Sequence, residues 1–134
     1  MVPELVLVGR RHLRSNNSWL HNSHRLVKGP QRCTLFVHPV DAKRHGIPDG
    51  GRVHVTSARG RLEATAALTD EMMPGVVSLP HGWGHDRAGT RMHVASAHAG
   101  VNVNDITDEG RVDRLTGNAA FSAVPVTITA LDVA

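Results

Sequence analysis

Three short stretches hold the side chains best suited to grip a charged or heterocyclic ligand. The first runs from Gly9 to Asn22, GRRHLRSNNSWLHN. Its arginines offer guanidinium forks whose parallel N–H groups match two oxygens of a pyrophosphate. Ser15, Asn16, Asn17 and Ser18 can donate to phosphate and ribose oxygens or meet the polar edge of a ring, and Trp19 adds a flat apolar face. A solvated basic loop is the alternative. Length, charge and the clustering of amides beside a tryptophan argue against it.

The second stretch, LPHGWGH from Leu79 to His85, sets Gly82 and Gly84 around Trp83. Glycines let a backbone come close to a ligand and bare its amide groups. His81 and His85 are four apart, a zinc-ligand spacing, but such a pair faces one way only on a helix, which two glycines disfavour. No metal site is therefore expected, and the other histidines are expected to be surface or structural groups. The third stretch runs from Val101 to Phe121, VNVNDITDEGRVDRLTGNAAF. Asn102, Asn104, Asp105 and Asn118 could pair with a 2-amino-4-oxo ring such as guanine or a pterin. Asparagines also cap turns, so both uses stay open. No nucleophile elbow, GxGxxG loop, P-loop or cysteine cluster is present.

These stretches need a scaffold. Residues 4–9 (ELVLVG) read as a buried strand, residues 10–31 as a long loop, and residues 33–38 (CTLFVH) as a second strand. VDAKRHG after Pro39 reads as a short helix stopped by Gly46. Residues 52–57 and 61–69 alternate with period two around Ala58-Arg59-Gly60, which predicts a hairpin. Residues 76–79 and 124–131 complete the strands, the last with Val124, Val126 and Ile128 on one face. The polar connection 80–123 lies between them. Short strands with turn signals and little helix predict a closed or nearly closed barrel filling a single domain, 1–134.

Composition sets the limits. A chain of 134 residues, 40% apolar, can bury one ordinary core. No apolar run approaches the ~20 residues that span a bilayer, and Leu5 to Val8 is too short for a signal sequence, so a cytoplasmic chain is expected. The lone Cys33 excludes an internal disulfide and fits a reducing compartment. The net charge is only +3, yet residues 1–32 hold six basic residues (Arg10, Arg11, Arg14, Arg25, Lys28, Arg32) against Glu4. Residues 101–134 reverse the balance. An anion near the amino-terminal loop suits that asymmetry.

Taken in order, LVLVGRRHLRSNNSW, HPVDAKRHGIPDGGRVHVTSARGRLEATAALTDEMMPGVVSLPHGWG and VNVNDITDEGRVDRLTGNAAF resemble the molybdopterin dinucleotide-binding domain of the dimethyl sulfoxide reductase family, over nearly the whole chain. The resemblance implies a double-psi β-barrel, mainly β with one or two short helices, whose loops hold part of one or two molybdopterin guanine dinucleotides. Carried over, Arg11, His12, Arg14, Ser15, Asn16, Asn17, Ser18 and Trp19, with His81, Gly82 and Trp83, line the cofactor, and Asn102, Asn104 and Asp105 lie near it. Asp41, Ala42, Gly46, Asp49 and Gly50 match a part read as structural. The family's usual Asp-Pro pair is Asp113-Arg114 here.

Molybdenum or tungsten would be held by other domains or a catalytic subunit, which are the expected partners. The isolated chain is expected to be a monomer without redox activity, with no nucleic-acid or membrane partner. A free-standing anion or nucleic-acid binding barrel is the alternative, weakened by Trp19 being the one aromatic in the basic stretch. A small self-sufficient enzyme on a related barrel lacks any nucleophile signature.

Overall fold

Among the described residues six strands form the fold: β1 (Leu5–Arg10), β2 (Thr34–Val37), β3 (Arg52–Thr56), β4 (Arg61–Leu68), β5 (Val76–Pro80) and β6 (Val124–Ala130). Buried and exposed side chains alternate along β1, β3, β4 and β6, whereas β2 and β5 are buried almost throughout. The computed structural model describes residues 4–119 and 122–131; Ala120, Phe121 and Asp132 from the stretches above lie outside them. The strands close into a barrel in the order β1-β5-β2-β4-β3-β6. β1 pairs in parallel with β5, and β2 with β4; the other neighbours are antiparallel. Two parallel pairs in a closed six-stranded barrel agree with the double-psi expectation. Inward positions form the core: Leu5, Leu7, Leu35, Val37, Val53, Val55, Val77 and Leu79 are at most 1% exposed. Each such side chain contributes about 1.5–3 kcal/mol of burial.

Pairing directions decide where the loops go. β1, β3 and β5 run toward one end, and β2, β4 and β6 start from it. The three connections that leave and re-enter there are 11–33, 57–60 and 81–123, so every stretch singled out for ligand chemistry belongs to the same end. The opposite end carries α2 (Pro39–Arg44), introduced by His38, whose ring accepts from the Val40 amide, with Pro39 in the first turn. Buried Asp41 accepts from the Gly75 N–H at 2.7 Å, and Asp49 accepts from Leu68 N–H at 2.9 Å. These carboxylates hold loops to the barrel, as expected of structural positions.

The predicted connections are less irregular than their composition suggested. A short helix, α1 (His24–Val27), interrupts the 10–31 loop. Another, α3 (His93–Ala97), and a 3-10 turn, Val103–Asp105, lie within 80–123. Among the described residues three short α-helices thus stand where one or two were expected. Among the described residues no helix is long and apolar enough to cross a membrane.

Candidate functional site

Arg10 sets the entrance to the loop face. Its guanidinium donates to the carbonyls of Ser78 and Thr34, each at 2.6 Å, and of Arg32 at 3.2 Å, and it lies 3.6 Å over the Phe36 ring. Burial lowers its pKa to about 10. Arg10 ties three strand ends together, a structural use of a charge that looked like part of the ligand loop.

Beyond it the chain turns sharply. Asn16 and Asn17 take left-handed backbone angles, φ 44° and 65°, which asparagine tolerates better than most residues. The turn lays the loop on the second stretch. His81 Nε2 meets Asn17 Oδ1 at 2.9 Å, and the His81 amide donates to the Arg10 carbonyl at 3.3 Å. Gly82, at φ +90°, is so close to this loop that a Cβ there would stand 1.7 Å from the Asn17 carbonyl oxygen. Only glycine allows that approach.

A buried aromatic cluster lies underneath. The ring of His21, fully buried, stacks on Trp83 at 3.8 Å between centroids, and its Nδ1 lies 2.7 Å from His85 Nε2. Burial first, then the neighbouring His85, lowers the His21 pKa to about 4; burial also lowers that of His85. Both rings are therefore neutral near pH 7. His81 and His85 go to different partners, Asn17 and His21, and among the described residues no group of three or more His, Cys, Asp or Glu could hold a metal.

The third stretch joins from the side of the hairpin. A Cβ on Gly84 would come within 2.7 Å of Asn102 Cβ. Asn102 uses its side-chain oxygen to cap the 3-10 turn, accepting from the Asn104 N–H at 3.0 Å. Asp105 receives a two-pronged hydrogen bond from Arg87, with both N···O distances 2.5 Å. Ser57 Oγ donates to the Ile106 carbonyl at 2.7 Å, fixing this turn to the β3–β4 hairpin. Asn104 stays exposed. Asn118 lies apart, its carbonyl accepting from the Asp113 amide. Asp113 Oδ1 caps the next turn, accepting from the Leu115 and Thr116 amides, so Arg114 after it disrupts nothing.

The predicted residues thus divide by exposure. Arg11, His12, Arg14, Asn16, Asn17, Ser18 and Trp19 are exposed, Trp19 at 81%, whereas Ser15 and Trp83 are buried. Among the described residues Arg11, Arg14, Arg25 and Lys28 form no ion pair. The local field is positive: burial and then the cations of Arg32, Arg10 and Arg14 hold the His12 pKa below its ordinary value. Residues 5–40 contain no acid to offset them.

A cleft of about 320 Å³ opens between the loops, lined among others by Arg32, Cys33, Trp83 and Gly100. That is the lower end of the ~300–1,000 Å³ usual for small-molecule sites. Arg32 Nη1 and Trp83 Nε1 are buried donors without a protein acceptor. A ligand rich in acceptor oxygens and nitrogens, with negative charge, fits these leftover donors and unpaired cations. In the sequence His85 stands out only as half of a disfavoured metal pair, Arg32 only as part of the basic cluster and Cys33 only as a lone thiol, and His21 does not stand out; the His21–His85 pair spans 64 residues and leaves no local pattern.

Known proteins share the fold and much of the sequence. Acetylene hydratase from Pelobacter acetylenicus superposes with a TM-score of 0.77 over 94% of this chain and 18% of its own, at 21% identity, a likeness of fold alone. ArrA, the molybdopterin-containing part of the arsenate respiratory reductase of Chrysiogenes arsenatis, is 33% identical over 121 residues, 84% of this chain and 14% of its own length. Dimethyl sulfoxide reductase DmsA of Escherichia coli is 32% identical over 75 residues, 56% of this chain and 9% of its own. The chain therefore spans only a small part of these relatives. The family model of the molydopterin dinucleotide binding domain matches residues 5–125, nearly the whole barrel with its loop face, and the chain belongs to that family.

Proposed function

We propose that the loop face holds part of a molybdopterin guanine dinucleotide for a molybdenum or tungsten oxidoreductase whose metal ligand and substrate contacts lie in other domains or in a catalytic subunit. The observation that carries this reading is the delivery of an acid-free basic loop and a glycine-rich loop to one barrel end, with Arg11 and Arg14 unpaired beside them. The bound cofactor supplies the redox chemistry. The chain supplies grip and orientation.

Arg11 and Arg14 suit the pyrophosphate, where forked N–H groups match two oxygens. Asn16, Asn17 and Ser18 can reach ribose or ring edges, and Trp19 can cover a ring face, being exposed. Gly82 brings the second loop against Asn17, and Trp83 walls the cleft. Asn104 remains exposed for a ring edge, while Asn102 and Asp105 act through the turn and through Arg87. The cleft admits one part of a dinucleotide, which leaves the remainder for the partner domains. In this reading the isolated chain is monomeric and inactive in redox assays. A cytoplasmic setting goes with the proposal, on the single buried thiol of Cys33.

Amide and side-chain NMR on the chain tests it, with guanosine diphosphate and inorganic pyrophosphate as probes at low and at 0.5 M salt, the latter a condition in which exposed charges are largely screened. Shifts confined to the loop face, at residues 11–19, 81–83 and 102–105 and at the cleft lining 29–33 and 97–100, weakened by salt, are expected. No shift, or shifts centred on α2 at the opposite end, would overturn the proposal.

A further inference from the structure

We infer that His21 and His85 are positioning residues for the loop face: a buried imidazole pair that holds the 11–22 loop against the 81–100 loop in neutral form and releases it in acid. Each ring is anchored in its own loop. His85 donates its backbone N–H to the Ala99 carbonyl at 3.1 Å and accepts from Ser96 Oγ at 3.2 Å. His21 donates its backbone N–H to the Ser18 carbonyl at 3.1 Å, at the end of the Asn16-Asn17 turn. Beside it, Asn22 Oδ1 accepts from the Ala95 amide at 3.1 Å, so the two loops meet along a line. The rings join them through the 2.7 Å nitrogen pair and the Trp83 stack.

The chemistry of the pair sets its pH response. One ring nitrogen donates and the other accepts, so two imidazolium rings would face each other with N–H groups only. The groups around the pair oppose protonation on balance. Burial, Arg32 and His81 disfavour a charged His21, with only the Gly82 backbone favouring it; burial disfavours a charged His85, with Asp86 favouring it. The docked state therefore binds fewer protons than an opened one. Docking is complete above the ordinary imidazole pKa of ~6.5 and weakens as the pH falls toward about 4, the opening constant rising by up to about tenfold per pH unit for one such group. Trp83 walls the cleft, so an opened latch also unseats that wall. That last consequence for a ligand rests on the cofactor reading; the latch does not.

Trp19 and Trp83 are the two tryptophans, so Trp19→Phe leaves Trp83 emission as the reporter. In this variant, emission and the hydrogen-exchange protection factors of residues 15–22 and 81–86 should change together between pH 6.5 and 4, with the hairpin at 52–69 still protected. Adding His21→Gln, which keeps a donor and an acceptor but cannot titrate, should remove most of the step and leave pH 7 docking largely intact. A flat response down to pH 4, a step unchanged by the glutamine, or simultaneous loss of hairpin protection would each overturn the inference. Should His21→Gln fail to fold, the imidazole C–H resonance of His21 in the unsubstituted chain decides: titration near 6.5 rejects the latch, and titration well below it supports the latch. Pyrophosphate binding at pH 7.5 and 5 separates the two readings. A latch that opens while the probe never binds leaves this inference standing and removes the ligand assignment.

Discussion

At the scale of single residues, the face separates groups that grip from groups that hold. Arg11 and Arg14 are exposed and without ion pairs among the described residues, so truncating them removes little that stabilises the barrel. Each charge-assisted bond to phosphate is worth roughly 1.5–3 kcal/mol, against about 0.5 or less for an ordinary surface change. Arg11→Ala or Arg14→Ala should therefore weaken cofactor affinity in the assembled enzyme by about tenfold or more, seen as faster cofactor loss, while moving the melting temperature of the chain by a degree or two. Full cofactor occupancy in both variants would place the phosphates elsewhere. Gly82 is the opposite case. Gly82→Ala adds a methyl where 1.7 Å separates it from Asn17 O and forces a left-handed φ, a backbone cost of about 1–3 kcal/mol. Amide shifts should concentrate at residues 15–19, with a melting temperature lower by several degrees; an unperturbed spectrum would show that the loops do not meet there. Residue types such as arginine forks and paired glycines were legible in the sequence. The burial of Trp83 and the exposure of Trp19 were not, since both sit among the same polar neighbours and only long-range packing distinguishes them.

Elements were legible in proportion to how local their causes are. The hairpin at 52–69 follows from period-two alternation around Ala58-Arg59-Gly60, and the structure keeps its bounds almost unchanged at Arg52–Thr56 and Arg61–Leu68. The helix after His38 follows from Pro39 in its first turn and Gly46 at its end. α1 and α3, of four and five residues, have no such cause: too short to be stable alone, they are supported by contacts such as Asn22 to the Ala95 amide. Asp41 tests the opposite end at this scale. Its carboxylate sits in the first turn of α2, where negative charge is favourable, and fixes the β4–β5 connection through Gly75 N–H. Asp41→Ala removes a charge-assisted bond and leaves a partly buried amide unpaired, so stability should fall by about 1.5–3 kcal/mol in urea unfolding. Pyrophosphate shifts at the loop face should stay the same. Loss of both together would mean that the two barrel ends are not independent.

At the scale of the whole molecule, the closed barrel converts three segments distant in sequence into one face, because β1, β3 and β5 all point the same way. The order of those segments and their resemblance to a known domain made the architecture legible. The internal bracing of the face was not, since His21–His85 and Asn17–His81 each join residues 64 apart. That bracing refines what is expected of mobility without ligand. Loops rich in Gly, Asn, Ser and Arg gain little from order, which costs roughly 1–2 kcal/mol per residue, unless something buried fixes them. Here part of each loop is fixed: Ser15 and His21 in one, Trp83, His85 and Ala95 in the other, are buried. The exposed parts are not, with Leu13 at 93% and residues 86–89 facing solvent. Backbone relaxation and hydrogen exchange on the chain at pH 7 should therefore show three levels. The hairpin at 52–69 should be most protected, the braced residues 20–22 and 83–85 intermediate, and residues 11–14, 16–19 and 86–92 least. Adding the dinucleotide should raise protection at 11–14 and 16–19 and leave the hairpin unchanged. Protection of residues 11–19 equal to that of the hairpin before any ligand is added would mean that this loop is a structural connection, and the ligand face would then have to be sought elsewhere on the barrel.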